Sequence, residues 1–160
     1  MDICSIRYAY AEEAPALSAL ALRSKAYWGY SADFIAACRA ELTYSADQLG
    51  RNDFHFFVAE HRGSLIGFYA LQQLATAEIE LEALFVDPLY IGKGFGRDLI
   101  ENAKRKATEL GASSLIIQGD PHAERFYLAA GGKLTGRRES ASIPGRYLPT
   151  FAIDLVNSET

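Results

Sequence analysis

The hydrophobic pattern changes its period at Phe54, and this change limits the folds open to the chain more than any other feature. Apolar and polar residues then alternate through three segments, which are Phe54 to Glu60, Ser64 to Leu74 and Ala77 to Val86. Alternation with a period of two is typical of β-strands that bury one face. The turn His61-Arg62-Gly63 joins the first two segments. The pattern therefore predicts an antiparallel meander of three strands.

A strongly amphipathic segment follows the third predicted strand. Its apolar residues recur at helical spacing and charged residues fill the other positions; the apolar stripe consists of Phe95, Leu99, Ala103, Ala107 and Leu110. Such a stripe predicts a helix that packs one face against a core. Gly111 stands directly after the stripe, where a helix commonly ends.

The remaining segments predict an α/β fold with a mixed sheet. A strand is expected at Ser5 to Tyr10 and a helix from Ala11 to Tyr27, and Ser31 is a candidate N-cap for a second helix through Leu42. After Gly111 we expect a strand at Ser114 to Gln118, a helix from about Pro121 to Ala130, and strands near Lys133 to Ser140 and Leu148 to Val156. The predicted order is βααβββαβαββ.

Length and charge exclude several classes of protein. The 160 residues predict one domain spanning residues 1–160. A formal net charge of −4 lacks the basic excess that is typical of nucleic-acid-binding proteins. No apolar stretch approaches the ~20 residues that a membrane helix needs, and the start does not resemble a secretory signal. We therefore expect a cytoplasmic protein that binds neither nucleic acid nor membrane. Cys4 and Cys38 are isolated, which predicts neither a disulfide framework nor a metal site.

Glycines alternate where the third strand of the meander meets the amphipathic helix, in the segment Ile91-Gly92-Lys93-Gly94-Phe95-Gly96-Arg97. Glycines let the backbone approach a ligand closely, and N–H groups at a helix N-terminus attract anions. The segment is therefore a candidate phosphate site. A Walker loop is excluded because Lys93 is followed by Gly94 and not by a hydroxyl residue. A dinucleotide fingerprint is disfavoured because, counted from Gly92, its third glycine position falls on Arg97.

In this context the segment resembles the signature of the GNAT superfamily of acyl-CoA-dependent N-acyltransferases. That signature has Arg or Gln, two variable residues, Gly, one variable residue, and Gly or Ala. The segment Ile91 to Gly96 matches it at every position except the first, where Ile91 replaces Arg or Gln. The predicted order of elements is also similar to that family from about Ile6 to Leu155. The resemblance implies a mostly antiparallel sheet that is splayed at a cleft for acetyl-CoA. The cofactor-binding residues that it implies are Leu84, Phe85, Val86, Ile91, Gly92, Lys93, Gly94, Phe95, Gly96, Arg97 and Asp120.

The segment from Gly119 to Gly132 is similar to the second signature of the family, in which a helix carries a tyrosine near the cofactor sulfur. The resemblance makes Tyr127 the candidate catalytic acid, because a positioned O–H can donate a proton to a departing thiolate. A tyrosine that only packs beside Phe126 is the alternative. Asp120 stands where the family often has Asn, so it is expected either to contact the cofactor or to cap the helix.

The third strand of the meander carries candidates for a general base. Alternation predicts that Glu78, Glu80 and Glu82 share one face with Leu84 and Val86, and that their charges raise one another's pKa. A base is needed because an attacking amine must be neutral, whereas a lysine-like amine has a pKa of about 10.4. The resemblance places Glu80 where some members carry the base. Glu82 is the second candidate, and a solvated acidic face is the alternative.

Two segments that vary in the family are expected to contact the acceptor. Tyr27, Trp28 and Tyr30 form an aromatic cluster that could hold an amine through cation–π contact. Arg146, in the loop from Ser142 to Pro149, could hold a substrate carboxylate; a solvated side chain is the alternative. A core contact or a homodimer contact is the alternative for the aromatic cluster.

Together these features predict an N-acetyltransferase. We expect it to pass an acetyl group from acetyl-CoA directly to a primary amine of a small molecule or a peptide, in a ternary complex without a metal. No serine or cysteine nucleophile is paired with a histidine in the sequence pattern. A non-catalytic acyl-CoA-binding or scaffold module of the same fold is the alternative.

Overall fold

Residues 4–155, which the computed structural model describes, form one sheet with helices on both faces. In chain order the elements are β1 (Ser5–Tyr8), α1 (Ala14–Ala26), α2 (Ala32–Cys38), α3 (Ala46–Leu49), β2 (Phe54–His61), β3 (Ser64–Ala75), β4 (Glu78–Val86), α4 (Phe95–Glu109), β5 (Ser114–Gln118), α5 (Glu124–Ala129), β6 (Lys133–Glu139) and β7 (Tyr147–Asp154). Short 3-10 helices occupy Ala11–Glu13, Pro88–Tyr90 and Pro121–Ala123. The predicted order is confirmed with one addition, the short helix α3.

The seven strands lie in the order β1-β2-β3-β4-β5-β7-β6. Neighbouring strands are antiparallel except β4 and β5, which are parallel and are joined by α4. Parallel neighbours need such a long crossover connection, whereas antiparallel strands can be joined by a tight turn. The predicted class, a mixed α/β fold with a mostly antiparallel sheet, is therefore confirmed.

Element ends differ slightly from the predicted ones. Ser31 caps α2 by accepting a hydrogen bond from the Phe34 N–H, as predicted, but the helix ends at Cys38 and not at Leu42. The β2–β3 turn is one residue shorter than expected because His61 still pairs with Ser64. The predicted end of the last strand at Val156 lies outside the described residues.

Strand β4 contains one extra residue. Leu81 and Ala83 pair with the adjacent β3 residues Leu71 and Ala70, so Glu82 stands opposite no residue in the register. Such a bulge bends its strand and shifts the alternation of side chains by one position. The register with β5 ends at Leu81 as well. The sheet therefore parts between β4 and β5 beyond Leu81, which is the splay that the resemblance implies.

The two faces of the sheet bury separate apolar cores, and the bulge changes how β4 divides between them. Leu81 packs in the core beneath α4, whereas Ala83 packs in the core beneath α1. Leu84 and Val86 then pack on the α4 side. The prediction that Leu84 and Val86 share a face with the glutamates is therefore wrong, since simple alternation assumes an uninterrupted strand. In residues 4–155 no helix is long and apolar enough to cross a membrane.

Candidate active site

The opening between β4 and β5 leads into a cavity of about 920 Å³, called the cleft below. This volume lies within the usual range for small-molecule sites. One end of the cleft, the glycine end, is formed by Gly92, Gly94, Gly96 and Arg97. The other end, the acidic end, is formed by Glu41, Tyr44, Glu80 and Glu82. Tyr127 contributes to the wall as well.

The glycine end has the geometry of an anion site. Gly92 and Gly94 adopt positive φ angles of 85° and 90°, and a Cβ built on either one meets no atom within 4 Å. Gly94 is the N-cap of α4, and its carbonyl accepts the N–H of Asp98. The N–H groups of the first helical turn precede Asp98 and have no acceptor within the helix. Open space in front of these donors fits a pyrophosphate.

Most of the cofactor-binding residues that the resemblance implies lie in the wall of the cleft. They are Leu84, Phe85, Val86, Ile91, Gly92, Gly94, Gly96, Arg97 and Asp120. Lys93 is exposed outside the wall, and the Phe95 side chain is buried in the core beneath α4, against the rings of His61 and Tyr90. Phe95 can therefore contribute its backbone N–H but not its side chain. Ile91 can offer an apolar contact but no side-chain hydrogen bond.

Beyond the bulge, β4 presents a backbone edge to the cleft. Leu84, Phe85 and Val86 pair with β3 on one side. Their register with β5 on the other side has already ended. A free strand edge offers main-chain N–H and C=O groups to an extended ligand. The edge matches the amide-containing pantetheine arm of an acyl-CoA.

Tyr127 is fixed by packing while its hydroxyl stays available. The ring packs against Phe126 and Phe151, with centroid distances of 5.1 and 5.7 Å, and a Cβ on Gly119 would approach it to 3.0 Å. Only 7% of the residue is exposed, yet its hydroxyl has no hydrogen-bond partner among residues 4–155. Burial and the charge of Asp120 raise the pKa of Tyr127 above its usual range. The hydroxyl therefore keeps its proton near neutral pH.

The two predicted base candidates differ in their surroundings. Burial in the cleft, together with the charges of Glu80 and Glu41, raises the pKa of Glu82 to about 7. Burial also raises the pKa of Glu80, but Arg138 opposes this change from a distance of 3.7 Å between Nη1 and Oε2. A base is most effective when its pKa lies near the working pH. By this criterion the pKa of Glu82, the second candidate from the sequence, suits a base better than that of Glu80, and the choice between the two stays a prediction.

Two residues of the acidic end were not found by sequence reasoning. Glu41 and Tyr44 lie in the connection between α2 and α3, which has no strand or helix period and no recognisable motif. Their position beside Glu82 depends on how α1 and α2 pack on the sheet, and a local pattern does not encode that packing. The expectation that α2 reaches Leu42 also placed Glu41 on a helix surface.

Asp120 is the centre of a polar network between α1, the α1–α2 loop, the start of α5 and the β6–β7 loop. Its carboxylate accepts hydrogen bonds from Lys25 Nζ at 2.6 Å and from the Tyr30 hydroxyl at 2.9 Å. It also accepts the His122 N–H, and Arg146 donates to the Tyr30 hydroxyl. Burial would raise the pKa of Asp120, but the hydrogen bond and charge of Lys25 hold it well below its usual range.

The network limits what the predicted acceptor residues can do. Arg146 and Tyr30 are bonded to each other and to Asp120, so Nη2 of Arg146 is already engaged, and its role in holding a substrate carboxylate stays a prediction. Trp28 stacks on His122 and lines the cleft, whereas Tyr27 packs edge-on against Trp28 outside its wall. Asp120 caps the turn before α5, which was one of its two expected roles.

Loss of the Asp120 carboxylate is expected to destabilise the fold. Asp120→Ala leaves the largely buried Lys25 ammonium unpaired, and we expect the free energy of unfolding at pH 7 to fall by about 1–3 kcal/mol, the cost of a buried donor without its acceptor. Because the pKa of Asp120 is lowered on folding, this contribution is present above its ordinary value of 3.8 and is lost as the pH falls below it. Urea unfolding at pH 7 and pH 3 measures both effects. Asp53→Ala, which removes an exposed ion pair with Arg51, should cost much less; equal losses would contradict the prediction.

Comparison with known proteins agrees with this geometry. The model of the acetyltransferase (GNAT) family matches residues 21–131. Uncharacterised N-acetyltransferases from Mycobacterium bovis and Mycobacterium tuberculosis are 30% identical over 83 residues, which are 50% of this chain and 53% of each relative. The chain thus spans about half the length of the curated relatives it matches.

Solved structures show the same fold. The PaiA N-acetyltransferase from Thermoplasma acidophilum, in complex with coenzyme A, superposes with a TM-score of 0.78 at 22% identity, over 95% of this chain and 99% of that one. A GCN5-related N-acetyltransferase from Rhodopseudomonas palustris superposes with a TM-score of 0.77 at 22% identity, over 97% and 98% of the two chains.

Proposed function

Since this chain belongs to the GNAT acetyltransferase family, we propose that it transfers an acetyl group from acetyl-CoA directly to a primary amine in a ternary complex. The observation that carries the proposal is the cleft, which brings the glycine end, Tyr127 and Glu82 together. A donor and an acceptor can meet there, because the two ends of the cleft have opposite chemical character.

The residues of the cleft fit an acyl-CoA. Backbone N–H groups at the start of α4 and the side chain of Arg97 would hold the pyrophosphate, and the β4 edge at Leu84 to Val86 would pair with the pantetheine arm. When bound, acetyl-CoA supplies the acetyl group as a thioester. Asp120 would act mainly through the wall that it holds together, because Lys25 and Tyr30 already occupy its carboxylate.

Tyr127 is proposed as the acid that protonates the departing sulfur. Its hydroxyl is protonated near neutral pH, faces the cleft and has no competing partner within residues 4–155. The surrounding rings hold its side chain in place. A donor held in this way can transfer its proton as the carbon–sulfur bond breaks.

Glu82 is proposed as the base that takes a proton from the attacking amine. With a pKa of about 7 it is partly ionised near neutral pH and can accept that proton while the carbon–nitrogen bond forms. Glu80 and Glu41 add negative charge that attracts a cationic amine to this end.

Direct transfer is preferred to an acyl-enzyme. The wall of the cleft contains no cysteine, and its histidine, His122, is bonded to Asp120 and Tyr30 and to no serine among the described residues. A serine or cysteine nucleophile would need an adjacent base to become reactive.

A thiol-release assay tests the proposed function. The purified protein is mixed with acetyl-CoA and a panel of amines, lysine peptides and peptides with free N-termini, and both CoA release and the acetylated product are measured. Amine-dependent release with an N-acetylated product supports the proposal. Binding of acetyl-CoA without release above hydrolysis would instead indicate a non-catalytic acyl-CoA-binding module.

The pH profile of kcat/KM should identify the base. In the wild type we expect an acidic limb with an apparent pKa of about 7, the value that burial and the charges of Glu80 and Glu41 give to Glu82. Glu82→Gln should remove this limb and lower kcat/KM at pH 7 by about tenfold or more. The profile is measured with saturating acetyl-CoA and a varied amine concentration. Ionisation of the amine then affects both proteins equally, and a difference between their profiles reports on Glu82.

Two controls distinguish a base from a general effect of charge. Glu80→Gln should keep the limb but move it to lower pH, because the charge of Glu80 no longer raises the pKa of Glu82. Complete loss of the limb in that variant alone would transfer the role to Glu80. The pKa of Glu82 is raised on folding, so its stabilising contribution is present below its ordinary value of 4.5 and is lost as the pH rises through about 7. The difference in Tm, Glu82→Gln minus wild type, should therefore be larger at pH 8 than at pH 5.

A further inference from the structure

The acidic end of the cleft contains two carboxylates, Glu41 and Glu82, that pair with no lysine or arginine among residues 4–155. We propose that the acceptor carries a second ammonium group, and that Glu41 and the Tyr44 hydroxyl bind it. This inference rests on the proposed function and names its class of substrate, an amine with a second cationic nitrogen a few atoms away.

Glu41 supplies negative charge from the wall opposite β4. It lies after α2, lines the cleft, and accepts a hydrogen bond from the Ser142 hydroxyl of the β6–β7 loop, which orients it. Its charge acts on Glu82. Within residues 4–155, neither Glu41 nor Glu82 forms an ion pair with a lysine or arginine. These two carboxylates are therefore open to a cationic ligand.

Tyr44 is an independent sign of a polar ligand at the same place. Only 6% of the residue is exposed, and its ring packs edge-on against Phe56 and Phe68 at centroid distances of 5.5 and 5.6 Å. Its hydroxyl lies in the wall of the cleft without a hydrogen-bond partner in the described part of the chain. A phenol oxygen can accept an N–H from an ammonium group while its own proton points to a carboxylate. No fully buried polar side-chain atom in residues 4–155 lacks a partner, so the Tyr44 hydroxyl reaches the open space of the cleft, where a ligand can bond to it.

The basic side chains around the cleft pair with other groups or lie away from its acidic end. Lys25 pairs with Asp120, Arg97 lies in the first turn of α4 at the glycine end, and Arg138 approaches Glu80. If Glu82 takes the proton of the reacting amine, Glu41 remains as the carboxylate that can pair with a second ammonium. Glu41 is exposed, so this pair would serve selectivity for the acceptor and is not needed for the stability of the fold.

Matched acceptors test the inference. The assay compares 1,4-diaminobutane with 1-aminobutane, which has the same chain and one amine, and with 4-amino-1-butanol, which can form a hydrogen bond but has no second charge. After correction for its two equivalent amines, the diamine should show a kcat/KM that is about tenfold or more higher, as expected for hydrogen bonds to a charged group. A second arm with 2-deoxystreptamine, a diaminocyclitol that holds two ammonium groups on a rigid ring, should also exceed cyclohexylamine in kcat/KM; equal values would count against the second ammonium site.

Variants connect the preference to the two residues. Glu41→Gln and Tyr44→Phe keep the shape of the wall, and each should reduce the ratio of kcat/KM for diamine over monoamine severalfold. Glu12→Gln, which removes an exposed glutamate outside the cleft, should leave the ratio unchanged. An unchanged ratio in both cleft variants would overturn the assignment of Glu41 and Tyr44.

Failure of this inference can be distinguished from failure of the proposed function. Equal turnover of all three aliphatic acceptors would overturn the second ammonium site while leaving the acetyltransferase in place. If no amine is acetylated, the proposed function fails, and binding then decides: 1,4-diaminobutane should raise the Tm of the CoA-saturated protein more than 1-aminobutane does, and Glu41→Gln should remove the difference. No difference in the wild type would overturn the inference.

Discussion

Tyr127→Phe is expected to lower kcat by about 10²-fold or more while the affinity for CoA stays within a few fold. The substitution removes the hydroxyl that we propose as the proton donor and keeps the ring that packs against Phe126, Phe151 and Gly119. Since that hydroxyl has no partner in residues 4–155, its removal should change the Tm little. Steady-state kinetics at saturating acetyl-CoA measure kcat, and calorimetric titration with CoA measures the affinity.

Tyr147→Phe is the matched control, because Tyr147 is exposed and lies outside the wall of the cleft. It should keep the kcat of the wild type. A Tyr127→Phe variant with unchanged kcat would leave Tyr127 as a packing residue and remove it from the mechanism. A parallel loss of kcat and Tm would point to damage to the fold instead.

Gly94→Arg is expected to weaken CoA binding by at least about 10²-fold. Gly94 is the N-cap of α4, and the position of a Cβ there lies in open space at the glycine end. An arginine would occupy the place of the pyrophosphate and would block several hydrogen bonds to a charged group, each worth about 1.5–3 kcal/mol. Calorimetric titration of CoA into the folded variant measures the loss.

Gly111→Arg is the control for the backbone strain that an arginine introduces at Gly94. Gly111 has a φ of +96°, close to the +90° of Gly94, and lies at the opposite end of α4 with the same open surroundings. Both variants should lose similar stability, since an L-residue in this conformation is strained. Only Gly94→Arg should lose CoA affinity. Normal CoA binding by Gly94→Arg would show that the glycine end does not hold the phosphates.

The sequence was sufficient for most of the fold because its elements have strong local signals. The stripe from Phe95 to Leu110 predicts α4, and the alternation after Phe54 predicts the meander; both are confirmed. The helix α3 was missed because four residues are too few for a period to be visible. The bulge at Glu82 was missed because an inserted residue of the same polar type leaves the pattern of glutamates and apolar residues looking regular.

The two ends of the site differ in how far the sequence could predict them. The glycine end is one continuous segment between a strand and a helix, so its motif was visible. The acidic end joins Glu41 and Tyr44 to β4 across the α1 side of the sheet, and that contact exists only after folding. The contacts of Arg146 with Tyr30 and Asp120 were not predicted, because such long-range partners have no local signal.

The extra residue in β4 also suggests how such a site can arise. Without Glu82, the residues on either side of it, Leu81 and Ala83, would follow one another opposite Leu71 and Ala70, and the strand would alternate without interruption. The difference between an ordinary strand and a strand that carries this acidic group and diverges from its neighbour is therefore one inserted residue, which a single additional codon encodes. Deletion of Glu82 is accordingly a different experiment from its substitution, because it removes the unpaired position in the β3–β4 register together with the carboxylate.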